Sequence, residues 1–500
     1  MTGGTTALLL FGIAVVLIGV YGARVSRKTA VDYMLAGRQI GAVVMFFYVA
    51  FVIYSAWTFY GYPGFTYLSG APYSIFPLAA HLSFALFFVL VGPRLWAMSR
   101  MYGYISPVEF VEQRYESPFL RLLTALVLLV FIVPYVGVQV VGVGAGFHAL
   151  TGLPYLAGAV YLAVLLLAVV FLGGMRTVAW VNVLLGSIFI AAFAGALIWV
   201  VAAVLPGGLL GAAQRLEASS PAIFGAPGPM GLWTYKAMVG LSIAGLTACA
   251  WPHVVVTTMT ARTVGVLRSF ALAFLLLGGV LFYAVPNLWG MIVGPALITG
   301  LKGKAADAVV QLVVTKFLPA WFAVFVLMAV IAAALSTVGT QLMVSGIFIS
   351  RDLLTKWLRR QVTDMEMITY TRIGLIVVVI LSFLLAWKRP TEMGRFLSDI
   401  ASPGFTQWLP LLLGGLFWRR ATKYGAIAGL SGGVLVLVLA MKYKAITFGF
   451  QPVLVALAVN LFLYVMVSLL TRPVAPATVE MFFSRVDKYL AGREGVACSE

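Results

Sequence analysis

Apolar residues fall along this chain in repeated stretches of about 20, the length at which a helix crosses the ~30 Å hydrocarbon layer of a bilayer. Short polar breaks separate them, many rich in Lys and Arg. The pattern predicts 13 spans, at 5–23, 43–68, 73–93, 120–147, 153–172, 177–204, 237–258, 269–295, 317–349, 371–388, 397–418, 423–441 and 452–471. Two of them are interrupted. The second reads "VAFVIYSAWTFYGYPGFTYLSG", with Gly61, Pro63 and Gly64 breaking the helical pattern. The seventh reads "MVGLSIAGLTACAWPHVVVTTMTART", with Pro252 in mid-span. Proline removes a backbone hydrogen bond and clashes with the preceding turn. In lipid, the freed backbone groups must find protein, water or ligand. Such breaks arise as packing kinks, or as paired broken helices lining a transport site between inverted repeats. Their separation by five helices suits the second origin.

Composition agrees with the pattern. The 500 residues are 62% hydrophobic and 10% charged, against about 25% charged in soluble chains. No soluble-domain-sized polar stretch or low-complexity linker interrupts the spans, so one integrated all-α polytopic bundle in a cell inner membrane is expected. The net charge of +18 does not point to nucleic acid, because Lys and Arg cluster in short loops, as the positive-inside rule requires. With the N-terminus outside, about 23 of the 33 basic residues lie on the cytoplasmic side, including Arg24, Arg27, Lys28, Arg38, Arg351, Lys356, Arg359, Arg360, Arg419, Arg420 and Lys423. The C-terminal tail, with Arg472, Arg485, Lys488 and Arg493, is then cytoplasmic too. The first apolar segment has its positive charges after it, not before, and reads as a retained helix. Cys249 lies in a span and Cys498 in the tail, so no disulfide is expected.

The span interiors hold essentially no Asp, Glu, Lys or Arg; His81 and His253 are their imidazoles, and Asp399 falls near an outer end. A charge at mid-membrane costs on the order of 3 kcal/mol on insertion scales. A cation site here must therefore be built from neutral oxygens, which hard cations accept and unwound backbone can supply. Ala333, Ser336 and Thr337 share one helical face. Their hydroxyls either bond back to the preceding turn or serve such a site. His253, beside Pro252, has two uses open as well: contact with a carboxylate or a proton, or a bond to freed backbone. Trp57, Trp251, Phe405 and Trp408 are gates or packing, and aromatics make up 13% of the chain.

"AALSTVGTQLMVSGIFISRDL" resembles the eighth core helix of the sodium/solute symporter family. "YMLAGRQIG", "GYISPVEFVEQRY", "GGMRTVAWVNVLLG" and "LFWRRATKYGAIAGLSGG" resemble other parts of the same family, in order along nearly the whole chain. The resemblance implies an inverted five-helix repeat core with broken first and sixth core helices. The implied divisions are 1–42 (first helix and cytoplasmic loop), 43–420 (ten-helix transport core), 421–471 (two additional helices) and 472–500 (cytoplasmic tail). Within the family, "GRQIG", "GPRLW", "VPYVGVQVVGV" and "WPHVV" look most like bacterial monocarboxylate permeases. That implies symport of a small carboxylate, such as lactate, pyruvate or a short-chain acid, with sodium as the coupling ion and no other cofactor. Motif by motif, the resemblance implies carbonyl ligands for sodium at Phe51 and Tyr54, with Ala333, Ser336 and Thr337 opposite. It implies a substrate region beside Ser55, Trp57, Thr58, Gln139, Trp251 and His253.

Three positions depart from the family pattern. Ile53, Asn182 and Gly339 stand where many relatives place carboxylates. Proton coupling or facilitated diffusion is the alternative they raise. A transporter-like receptor is a further reading, although the roughly 29 residues after the last span hold no output module. An enzyme is not expected. The spans show no paired carboxylates and no HExxH, and the formal GxSxG match at 429–433 places Ser431 inside a span, not at a strand-to-helix turn. No filter-like repeat suggests a channel.

Overall fold

The computed structural model is all-helical, and its described residues are 2–25, 27–358, 361–387, 393 and 396–492. Arg359, Arg360, Arg493 and Cys498 lie outside them. The membrane helices begin with α1 (Thr2–Val25), the pair α2 (Ala42–Ile53) and α3 (Trp57–Ser69), α4 (Ile75–Leu90), α5 (Pro118–Thr151), α6 (Tyr155–Leu166, continued by Leu167–Phe171) and α7 (Leu172–Ala203). They continue as α8 (Tyr235–Leu246), α9 (Pro252–Thr260), α10 (Val264–Leu297), α11 (Ala320–Leu354), α12 (Asp364–Trp387), α13 (Leu409–Phe417), α14 (Lys423–Lys442) and α15 (Pro452–Leu470). Several starts are written locally. Ser117, Thr234, Thr263 and Thr422 each accept the N–H three residues on, capping α5, α8, α10 and α14.

Ten helices are long and apolar enough to cross a membrane, or eleven with α2 and α3 taken as one span bent by 58°. The expected 13 are reached by two further steps. The 49-residue run Tyr155–Ala203 would extend about 73 Å if straight, but Gly174 (φ 63°, ψ −166°) breaks it. A Cβ at Gly12 would meet Tyr161, one at Gly22 would meet Thr177, and Gly195 faces Phe322 while Gly4 faces Val324. Those contacts fold α6 and α7 into two antiparallel arms. The last step is the stretch from Phe396 to Phe417, a π-helical turn followed by two short helices, which is too broken to pass as one long helix.

Burial sorts the helices. The most apolar window of α11 is 83% buried, whereas those of α1 and α15 are 28% buried. The helix carrying Ser336 and Thr337 thus runs through the centre, and α1 and α15 are peripheral. The entry to α2 and the exit from α9 are tied together. Ile40 N–H donates to Thr260 O (3.1 Å) and Arg262 N–H to Ile40 O (2.9 Å). The Arg100 guanidinium donates to the carbonyls of Arg38, Ala261 and Arg262.

The tail is more ordered than its composition suggested. A helical run from Pro476 to Leu490 docks under the bundle, with Phe482, Phe483 and Val486 buried. Arg94 pairs with Asp487 at 2.5 Å, and Arg94, Arg114 and Arg419 lie over the Phe483 ring. Beside it, an ion-pair cluster joins the short helix Glu109–Tyr115 to α5 and α11. Burial by itself raises the Glu112 carboxyl, but its bonds with Lys356 and Arg121 outweigh that and hold it below its usual value.

Orientation in the membrane is testable. Membrane-impermeant thiol labelling from outside should reach Ser219→Cys, in the exposed end of the helix Gly208–Ser219, and spare Lys356→Cys. The reverse pattern sinks the topology drawn from the basic loops.

Candidate functional site

Both interrupted spans are broken helices. α2 ends at Ile53, Tyr54 takes up extended backbone (φ −73°, ψ 113°), and helical structure resumes through a π turn at Trp57. The freed donors beyond the break are satisfied locally. Ser55 N–H donates to Thr58 Oγ1 (3.2 Å), Ala56 N–H to Gln139 Oε1 (2.9 Å) and Trp57 N–H to Ser55 Oγ (3.2 Å). Ser55, Thr58 and Gln139 are thereby brought together, and each does structural duty. Gln139 Nε2 keeps a proton pair with no protein partner among the described residues.

The carbonyls on the other side of the break face α11. Ser336 Oγ donates to Phe51 O at 2.6 Å, while Thr337 Oγ1 lies 3.1 Å from Phe51 O and 3.2 Å from Tyr54 O. Of the two uses left open by the sequence, bonding back to the preceding turn belongs to Ser345, which donates to Gln341 O at 2.8 Å. Ser336 and Thr337 reach across to α2 instead. Ala333 is buried one turn earlier, in helix that runs unbroken, so no local loosening frees its carbonyl.

The second break lies between α8 and α9, through a short 3₁₀ turn (Ala248–Ala250) and Trp251 (φ −58°, ψ 124°), with Pro252 opening α9. Trp251 Nε1 donates to Ser402 Oγ (3.2 Å), and Trp408 Nε1 to Ala250 O (2.5 Å). Trp408 therefore braces freed backbone. The His253 ring stacks on Trp251 (centroids 5.6 Å) and meets Tyr135 edge-on (5.0 Å), with Phe405 at 6.4 Å. Neither His253 nitrogen has a protein partner among the described residues, so no bond to freed backbone is seen there.

Trp57 belongs to a different aromatic group. It stacks on Tyr62 (5.5 Å) and meets Phe76 edge-on, whereas Trp251 meets Phe84. Phe76 and Phe84 are eight residues apart on α4, or about 12 Å along the axis. The six expected substrate residues thus form two levels, joined by α5, where Tyr135 and Gln139 share a face one turn apart. All six are at most 3% exposed, closing the region to both membrane faces in this conformation. Sequence reasoning missed Tyr135 and Ser402. The signal for Tyr135 was present, because it follows Pro134 and precedes Gln139 by one turn.

Of the three departures, Ile53 and Gly339 are buried, and Asn182 donates weakly to Tyr48 O (3.4 Å) while its Oδ1 has no partner among the described residues. His81, given no role, stacks on Phe274 (4.5 Å) with Nε2 3.4 Å from Leu275 O.

With that geometry in place, comparison with known proteins is decisive at the family level. The Sodium:solute symporter family model matches residues 33–433. The chain belongs to that family. It is 27% identical over 494 residues to the high-affinity proline transporter PutP of Bacillus subtilis (strain 168), covering 93% of this chain and 98% of the relative. It is also 27% identical to the sodium/pantothenate symporter of Escherichia coli (strain K12), covering 94% and 97%. A solved Na+-coupled sialic acid symporter, in a substrate-bound outward-open state, superposes with a TM-score of 0.78 at 18% identity, over 94% of this chain and 98% of that one. That likeness establishes the inverted-repeat fold. The protein is a multi-pass membrane transporter, not an enzyme. The nearer likeness to monocarboxylate permeases is corrected, since these similar relatives carry proline or pantothenate by name. Of the motifs behind that likeness, "GRQIG" lies in the turn before α2 and "GPRLW" opens the helix Gly92–Tyr102.

Proposed function

We propose that this protein couples downhill sodium movement to uptake of a small solute bound through one carboxylate, with a monocarboxylate as the substrate. The observation that carries the sodium half is the approach of the Ser336 and Thr337 hydroxyls to the Phe51 and Tyr54 carbonyls. Four neutral oxygens from two helices converge where one helix is broken. When sodium sits among them, the hydroxyl protons turn away and the oxygens face the ion. Because the ion joins α2 to α11, its arrival favours the conformation in which the two helices are close. Release to the inside then requires α2 to separate from α11, which ties ion movement to opening.

The substrate half rests on chemistry shared with the relatives: proline, pantothenate and lactate-type acids each carry one carboxylate. Gln139 Nε2 and the His253 ring supply unpartnered buried polar groups, and Tyr135, Trp251 and Phe405 supply apolar walls. Among the described residues, no acidic side chain is a partner of Gln139, Tyr135, Trp251 or His253. An amino acid's ammonium lacks an anionic partner there, which favours an acid without one. The missing carboxylates at 53, 182 and 339 favour proton coupling as the competing reading.

The test is uptake by proteoliposomes of labelled lactate, pyruvate, acetate, propionate, proline and pantothenate, with sodium and proton gradients imposed separately. Sodium-driven uptake of a monocarboxylate is expected. Uptake that ignores sodium and follows protons overturns the coupling, and preference for proline overturns the substrate. In the same assay Trp251→Ala should lower uptake at least about tenfold more than Trp96→Ala, whose indole binds Ala261 O at the cytoplasmic edge. Equal, mild effects at matched expression make Trp251 packing only.

A further inference from the structure

We infer that Tyr54 is a positioning residue for the coupling ion, acting through a latch between its phenolic hydroxyl and the backbone of α10. The inference rests on the sodium reading above. Tyr54 is the last residue before the break, and its N–H still donates to Ala50 O at 2.7 Å. Its carbonyl points to Thr337, with no following helical turn to fix its direction. The side chain supplies the fixing. The ring lies against Phe282 (centroids 3.9 Å), Phe51 (5.3 Å), Phe189 (6.0 Å) and Phe274 (6.0 Å), all buried. At its far end the hydroxyl donates to Gly278 O at 3.3 Å.

Gly278 lies in a π-helical stretch of α10, Phe274–Ala284, a geometry that shifts the backbone bonds out of α register and recurs at functional sites. The room there is specific. A Cβ at Gly278 would stand 2.9 Å from the Tyr54 hydroxyl and 2.8 Å from the His81 ring. One residue therefore presents a carbonyl to the ion region and a hydroxyl to a helix from the other repeat. A movement of α10 reaches the ion through Tyr54, and the ion's arrival reaches α10 by the same route.

The readout is sodium binding itself, independent of substrate. Purified full-length protein is melted in sodium chloride, with choline chloride holding ionic strength constant, and the sodium concentration giving half the stabilisation is recorded. Tyr54→Phe keeps the ring and removes the latch, so that concentration should rise about fivefold, with the melting temperature in choline nearly unchanged. Gly278→Ala, which crowds the hydroxyl, should shift it the same way. Tyr67→Phe and Tyr161→Phe, which lose comparable hydroxyl-to-carbonyl bonds to Ile298 and Leu8, should leave it in place. A purely structural tyrosine lowers the choline melt without moving the sodium curve. A sodium-responsive wild type with an unshifted Tyr54→Phe curve overturns the latch and spares the sodium reading. A wild type indifferent to sodium overturns both.

Discussion

Replacing Ser336 and Thr337 together by alanine should eliminate sodium-dependent stabilisation and sodium-driven uptake. The two hydroxyls are the only side-chain oxygens seen to meet the broken-helix carbonyls among the described residues. Bonds to a charged partner are worth about 1.5–3 kcal/mol each, so each single change should raise the sodium requirement roughly tenfold to a hundredfold. Thr337→Ser keeps the oxygen and should stay near wild type. The substitutions also leave buried carbonyls of Phe51 and Tyr54 short of donors, which costs about 1–3 kcal/mol. The melting temperature in choline chloride reports that cost by itself, so lost folding and lost ion binding are told apart. Every proposed ligand is neutral, so sodium affinity should stay flat between about pH 6 and 8. A steep loss on acidification points instead to a titrating group.

The Ser-Thr pair and the helix breaks were readable in the sequence because their signals are local, whereas their pairing across the bundle came from the family resemblance. A Ser-Thr pair in an uncharged central helix is conspicuous, and a proline or glycine break announces freed carbonyls. The span pattern was readable for the same reason, since apolar runs of bilayer length need no tertiary knowledge. Other features depended on packing between distant segments. Nothing in "GLTACAWPHVV" separates Trp251 from Trp57 by depth; their different neighbours on α4 do that. The tail's short polar sequence reads as unstructured until Phe482, Phe483 and Val486 are seen buried under Arg94, Arg114 and Arg419. The π-helical stretch in α10 carries only an apolar run with two glycines, a pattern equally at home in ordinary helix. Substrate choice was the least readable, because relatives named for different substrates match this chain about equally well, at 27% identity over nearly its whole length.

Substituting Arg121 by methionine should cost more stability than any other single change considered, about 3–5 kcal/mol. Its guanidinium donates to Asp352 at 2.5 Å, Glu112 at 2.7 Å and Glu109 at 3.3 Å, with the arginine 6% exposed and the aspartate fully buried. A fourth bond goes to the Arg351 carbonyl at 3.2 Å. Removing the cation strands Asp352 with Ser106 as its remaining partner. By contrast Glu109 keeps Arg351 and the N–H groups of Ile105 and Ser106. The loss therefore concentrates on one carboxylate. That argument makes a sharper claim than destabilisation alone. Arg121→Met combined with Asp352→Leu should recover a large part of the lost melting temperature, since an apolar pair replaces a broken ionic one. Lys356→Met, removing a half-exposed partner of Glu112, should cost under about 1 kcal/mol. The cluster grips the C-terminal end of α11, the helix that bears Ser336 and Thr337 farther in. Loosening it should also let cytoplasmic thiol reagents reach a Gln341→Cys probe, one turn inward of Thr337, faster than in the intact protein. If the double variant melts no higher than Arg121→Met, the stranded carboxylate is not the source of the cost.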